Sequence, residues 1–146
     1  MLSRLSLSQR LAPGLVAASL LLPLALLHVF ASASTERVFI AGRELHWECL
    51  FKKWFAVPCP TCGLTRGVLL TLHGQLAAAW QVNPAGPLLA FGIVSFSAAM
   101  LFLMVYQTSR PPLAAGRLHA CIRLASTAYG GMIVAVLFAH WLGELI

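Results

Sequence analysis

The chain has 146 residues, of which 60% are hydrophobic and only 10% charged. A soluble domain carries about 25% charged residues, so a soluble globule is excluded. The formal net charge is +6, but the basic residues flank apolar runs. Membrane topology accounts for them, and no nucleic-acid partner is expected. The fold class read from this pattern is an all-α membrane protein forming one membrane domain over 1–146. It has three transmembrane helices plus one short interfacial or re-entrant helix, and the lipid bilayer is its partner.

The first apolar run, "LAPGLVAASLLLPLALLHVF", opens a span placed at 11–31. About 20 residues at ~1.5 Å each cross a ~30 Å hydrocarbon core. Pro23 predicts a kink, which membrane helices tolerate. Ala31-Ser32-Ala33 looks like a signal-peptidase site, yet the apolar part exceeds the usual ~7–15 residues of a signal peptide. A retained anchor is therefore expected over a cleaved leader.

Residues 32–62 are read as a cysteine-containing loop and 63–81 as the interfacial helix. The latter, "GLTRGVLLTLHGQLAAAW", is long enough to span. Crossing would put His73, Gly74 and Gln75 near the midplane, where polar groups are costly. Asn83-Pro84 reads as a sharp turn into the second span at 84–106, with Pro84 and Pro87 in the first turn. The third span is placed at 121–142. There Ser126/Gly130 and Thr127/Gly131/Ala135 have the small-xxx-small spacing that lets helices approach closely. Such a face packs against the protein's own helices or against another membrane protein, a second copy included. Cys121 is expected to pack as a small buried hydrophobe.

Charge points both ways on orientation. With three spans, Arg4, Arg10, Arg110, Arg117 and Arg123 face one side, and Arg37, Arg43, Lys52, Lys53 and Arg66 the other. With four spans the excess falls on the cysteine side and makes it cytoplasmic. Arg4 and Arg10 before the first span are the usual start of a chain with its N-terminus inside. The expectation is a multi-pass protein of the bacterial cytoplasmic (inner) membrane, N-terminus cytoplasmic and cysteine segment extracytoplasmic.

The chemistry concentrates in that segment, which holds Cys49, Cys59 and Cys62. Cys59 and Cys62 form a C-P-T-C pair at the start of a helical pattern, with Arg66 one turn on. A helix N-terminus and a nearby cation both favour thiolate, so disulfide exchange and metal binding are open to the pair. No βαβ pattern surrounds it, which excludes a thioredoxin fold. With Cys49, four readings stand open: a structural disulfide, a metal site, redox catalysis, and reduced thiols that only pack. In a redox reading Cys59 attacks and Cys62 resolves. In a metal reading zinc is held by Cys49, Cys59, Cys62 and His46, a three-cysteine, one-histidine set. His73 would lie some 16 Å along the helix from Cys62, too far for a ~2 Å zinc–nitrogen bond. No phosphate loop, catalytic triad or carboxylate dyad is visible, so an enzyme is not the first reading and no cofactor other than zinc is in view. The leading one is non-enzymatic: a cross-linked or metal-held docking element on a small membrane protein.

The stretch "CLFKKWFAVPCPTCGLTRGVLLTLHGQLAAAWQVNP" resembles a family of small bacterial membrane proteins, the domain of unknown function family 2752. The family pattern is Cys-x-Phe-Lys, then Cys-Pro-x-Cys-Gly-x-Thr-Arg, an apolar helix with a Gly-Asp step, and Asn-Pro opening a span. Cys49, Phe51, Lys52, Cys59, Pro60, Cys62, Gly63, Thr65, Arg66, Gly74, Asn83 and Pro84 match it. Leu50 stands where a proline is common, Gln75 replaces the usual aspartate, and His46 lies outside the pattern. The resemblance implies three spans with the cysteine segment outside, and no assigned activity.

Overall fold

The computed structural model describes residues 7–45, 49–55, 57, 59, 61–109 and 112–145, without the side chains of 7–10, 50–52, 107–109 and 112–116. In chain order the elements are α1 (Leu7–Phe30), β1 (Ala31–Ala33), β2 (Val38–Ile40), β3 (Arg43–Leu45), α2 (Leu50–Phe55), α3 (Leu64–Leu72), α4 (Leu76–Val82), α5 (Ala85–Ser109) and α6 (Pro112–Leu145). Among the described residues three helices are long and apolar enough to cross a membrane: Leu11–Phe30, Ala85–Tyr106 and Arg117–Leu145. The last exceeds the ~20 residues a bilayer needs, so its polar first turns, with Arg117 and Arg123, have length to spare outside the hydrocarbon.

The chain divides into two compact units. One joins residues 1–24 with 92–129. Its core is Ala17, Met100 and Leu103, with Phe96, Leu118 and Ile122 packed around them. Outward-facing Leu15, Leu22, Phe102, Val105 and Leu124 are exposed, the reverse of a soluble bundle. Lipid makes no demand to hide such side chains, so packing here rests on small residues and close fit. Gly14 faces the Met104 sulfur and Gly92 the Tyr129 ring, each too closely for a β-carbon. Cys121 is exposed on α6. The expectation of a buried thiol is corrected: an apolar group on a membrane-spanning helix needs no burial within the protein.

The other unit joins residues 25–91 with 130–146. The stretch read as a plain loop at 32–62 carries a three-stranded antiparallel meander, order β1-β2-β3. Ala31 pairs with Ile40, and Ile40 with Arg43. Ala41 and Gly42 make the two-residue turn between β2 and β3, both with positive φ (49° and 77°). That is the handedness a tight hairpin requires. Between β1 and β2, Ser34 holds its turn through its own N–H and hydroxyl, both bonded to Arg37. The Ala-x-Ala stretch that looked like a cleavage site is β1 itself, with Ala31 buried.

The single helix expected over 63–81 is two helices. The N–H of Gln75 bonds to the Leu70 carbonyl and the N–H of Gly74 to that of Thr71, closing α3 with Gly74 at φ 77°. This is a Schellman ending, and glycine adopts its left-handed residue without strain. The chain then restarts as α4 at Leu76.

Candidate functional site

The C-x-x-C turn is tight before α3. The N–H of Cys62 bonds to the Cys59 carbonyl and that of Leu64 to the Thr61 carbonyl. Gly63 then enters α3 with φ 81°, and a β-carbon there would meet Val82 at 2.9 Å. Two constraints, left-handed backbone and close approach, therefore fall on one glycine.

Asn83 is fully buried and has every hydrogen-bonding group occupied. Its Nδ2 donates to the Cys62 carbonyl (3.1 Å) and its Oδ1 accepts from the Ala85 N–H (3.0 Å). Its backbone N–H bonds to Ala79 and its carbonyl accepts from Gly86. One side chain thus ties the cysteine turn to the start of α5. Pro84 follows it, and Asn83 takes the extended backbone (φ −165°, ψ 113°) that a pre-proline residue prefers.

The same joint brings two helices into backbone contact. A methyl group on Gly86 would lie 2.7 Å from the Gly67 Cα, and one on Gly67 would lie 3.2 Å from the Gly86 Cα. Neither glycine stands out in the sequence. They lie on two different helices, so no local pattern marks them.

The sulfurs of Cys49, Cys59 and Cys62 lie within 4.8 Å of one another. Cys49 precedes α2, Cys59 follows it and Cys62 precedes α3, so α2 acts as a short spacer returning the chain to its start. All three are thiols in this structure. The Cys59 sulfur is 3.1 Å from the Thr61 hydroxyl. Burial pushes the Cys62 thiol up to about 11, with a hydrogen bond to the Cys49 side chain and the nearby charges of Cys59 and Cys49 adding to it and the Cys59 backbone opposing it. For Cys62 this runs against the expectation that the helix start and Arg66 favour thiolate. Arg66 reaches the other way, its Nη1 donating to the Thr35 carbonyl in the β1–β2 turn.

The cysteines open on a cleft of about 620 Å³. Thr61, Thr65 and Arg66 line it on the helix side, and Leu27, Ile40 and Leu69 supply apolar wall. Arg37 and Glu44 pair across its rim at 3.3 Å. His73 stands apart from the sulfurs. Its Nε2 is 2.9 Å from the Ala31 carbonyl and its ring stacks on His28 at 5.0 Å.

Of the other residues matched by sequence, Gly74 ends α3, and Thr65 is exposed in the first turn of α3. Phe51 and Lys52 lie on α2, their side chains outside the described part of the chain. Pro60 and His46, the latter named as the fourth zinc ligand, lie outside the described residues. Among the described residues the metal-competent cluster is the three cysteines.

No curated protein and no solved structure matches the chain. Residues 49–97, from the first of the three clustered cysteines into the second span, match the family model described as protein of unknown function (DUF2752).

Proposed function

We propose that this protein is a multi-pass membrane protein whose cysteine segment is a metal-held docking element at the membrane surface. Zinc is the metal and Cys49, Cys59 and Cys62 are its ligands. The observation that carries the reading is the convergence of three sulfurs within 4.8 Å from separate stretches of chain. Tetrahedral zinc with ~2.3 Å bonds places its sulfurs ~3.8 Å apart, so movements under ~1 Å complete the site. A disulfide would use two of the three thiols and leave the third without a role, whereas a metal uses all three. Binding displaces the Cys62 proton, which ties metal affinity to pH.

Exposed Trp54 and Phe55 on α2 and Trp80 on α4 suit the headgroup layer or a membrane partner. On the orientation argued from Arg4 and Arg10, the N-terminus is cytoplasmic and this element faces outward across the bacterial cytoplasmic membrane. Metal analysis of protein never exposed to chelator should find zinc near one per chain, lost in a Cys59→Ser/Cys62→Ser variant. Protein without metal, or a double variant that keeps it, overturns the site. Labelling intact cells with a membrane-impermeant thiol reagent, with and without chelator and reductant, reads the side.

A second reading is thiol–disulfide exchange. Cys59 attacks a partner disulfide and Cys62 releases the mixed disulfide. The raised Cys62 thiol favours that order, because it remains protonated until the proton has somewhere to go. A Cys62→Ser variant should then trap a covalent partner, and the absence of any trapped species counts against exchange.

A further inference from the structure

Zinc sites with four protein ligands are closed, whereas three protein ligands leave a position for an outside one. Here three sulfurs converge among the described residues, and all three line the same cleft. Its volume of about 620 Å³ falls within the ~300–1,000 Å³ of small-molecule sites. Glu36 also lines the cleft, while two other donors on it or near it are engaged elsewhere. Glu44 pairs with Arg37, and His73 is bonded to Ala31 and stacked on His28.

Resting on the metal-site reading above, we infer that the fourth position of the metal faces this cleft and takes a small exogenous thiol, bound as thiolate. Three thiolates make a divalent ion a soft, electron-rich centre, which favours a fourth sulfur over a hard oxygen donor. Leu27, Ile40 and Leu69 give the carbon chain of such a ligand an apolar wall, and Thr61 and Thr65 meet a polar end. The exchange moves no electrons between ligand and metal. The S–H bond of the incoming thiol breaks, its proton goes to solvent, a metal–sulfur bond forms and the bound water leaves.

Cobalt(II) substitution of the full chain in detergent reads this directly, because sulfur-to-cobalt charge transfer counts thiolates. Saturation with 2-mercaptoethanol should raise that absorbance per cobalt by about one third, as three thiolates become four. Ethylene glycol, its oxygen counterpart, should leave the spectrum unchanged. Thr65 is exposed on the cleft wall, so Thr65→Trp should keep cobalt binding and weaken the thiol response at least tenfold. A tetrahedral cobalt spectrum that 2-mercaptoethanol leaves unmoved overturns the open position, as does cobalt stripped without a new band. A His46→Ala change that alters the spectrum before any thiol is added also overturns it, by closing the site with a protein ligand. Failure to develop any cobalt–thiolate band removes the metal site itself and so marks a different failure.

Discussion

The side-chain amide of Asn83 donates to the backbone carbonyl of Cys62 across 3.1 Å, with Asn83 fully buried. This bond is the mechanical link between the thiol cluster and the second span. The amide's oxygen caps α5 through the Ala85 N–H at the same time. A single asparagine therefore sets the height of the cysteine turn relative to the helix below it. Its two polar ends have different tasks, and substitutions can separate them.

Asn83→Ala leaves a carbonyl and an N–H without partners. At about 1–3 kcal/mol for each buried group stranded, the loss should reach on the order of 2–6 kcal/mol. Asn83→Asp keeps the cap acceptor but sets a buried carboxylate oxygen against the Cys62 carbonyl, and should cost at least as much as alanine. Thermal unfolding midpoints in detergent give the order. An alanine variant as stable as wild type would show that the link carries no strain-bearing role.

Gly86→Ala puts a methyl group 2.7 Å from the Gly67 backbone, where no side chain can swing aside. The helices must separate, at a cost of roughly 1–3 kcal/mol. Gly130→Ala meets nothing within 4 Å and should be neutral in the isolated chain. Equal melting temperatures for the two variants would refute the close crossing.

The break between α3 and α4 makes opposite predictions for neighbouring residues. Gly74→Ala forces a β-carbon into left-handed backbone and should cost about 1 kcal/mol. Gln75 stands at the start of α4 with no side-chain cap. Gln75→Asp, which restores the residue usual in the resembled family, should stabilise by ~0.5–1 kcal/mol through an N-cap and the helix dipole. Destabilisation by aspartate would mean that the amide has a role the geometry does not show.

Cys62 should be slow towards alkylation in the metal-free protein. A thiol at about 11 holds a hundredfold less thiolate near pH 8 than one at about 9, while its greater intrinsic nucleophilicity returns roughly tenfold. The net retardation is about tenfold, read by mass spectrometry of timed iodoacetamide reactions. Because the folded value lies above the unfolded one, the apo fold keeps this contribution below pH 9 and loses it as pH rises towards 11. Its melting temperature should fall over that window. Metal binding has the reverse dependence and should weaken as pH falls, since each thiol must give up its proton.

Much of this architecture is legible in one dimension because a bilayer imposes length and apolarity on every span. The runs containing Leu15, Phe102 and Val134 can be read without any contact being known. The turn at Asn83-Pro84 also reads correctly, because its cause is local. The break at Gly74 is hard to see in the sequence because an apolar pattern continues on both sides. The meander at 31–45 escapes a sequence reading because three-residue strands leave too few positions to show alternation, and their turn uses Ala41 where asparagine would have announced it.

What the sequence determined by itself is the class: spans sized to a membrane, a cysteine-rich segment between them, and the Asn83-Pro84 turn into the second span. These follow from hydropathy and backbone stereochemistry, which act within a few residues. Only the tertiary structure decided that Cys49 meets Cys59 and Cys62, that Arg66 holds the Thr35 turn, and that Gly67 lies against Gly86. Each of those depends on residues from separate segments arriving at one place. Close packing and the saturation of buried polar groups select that arrangement, and neither is written in the spacing of any one stretch.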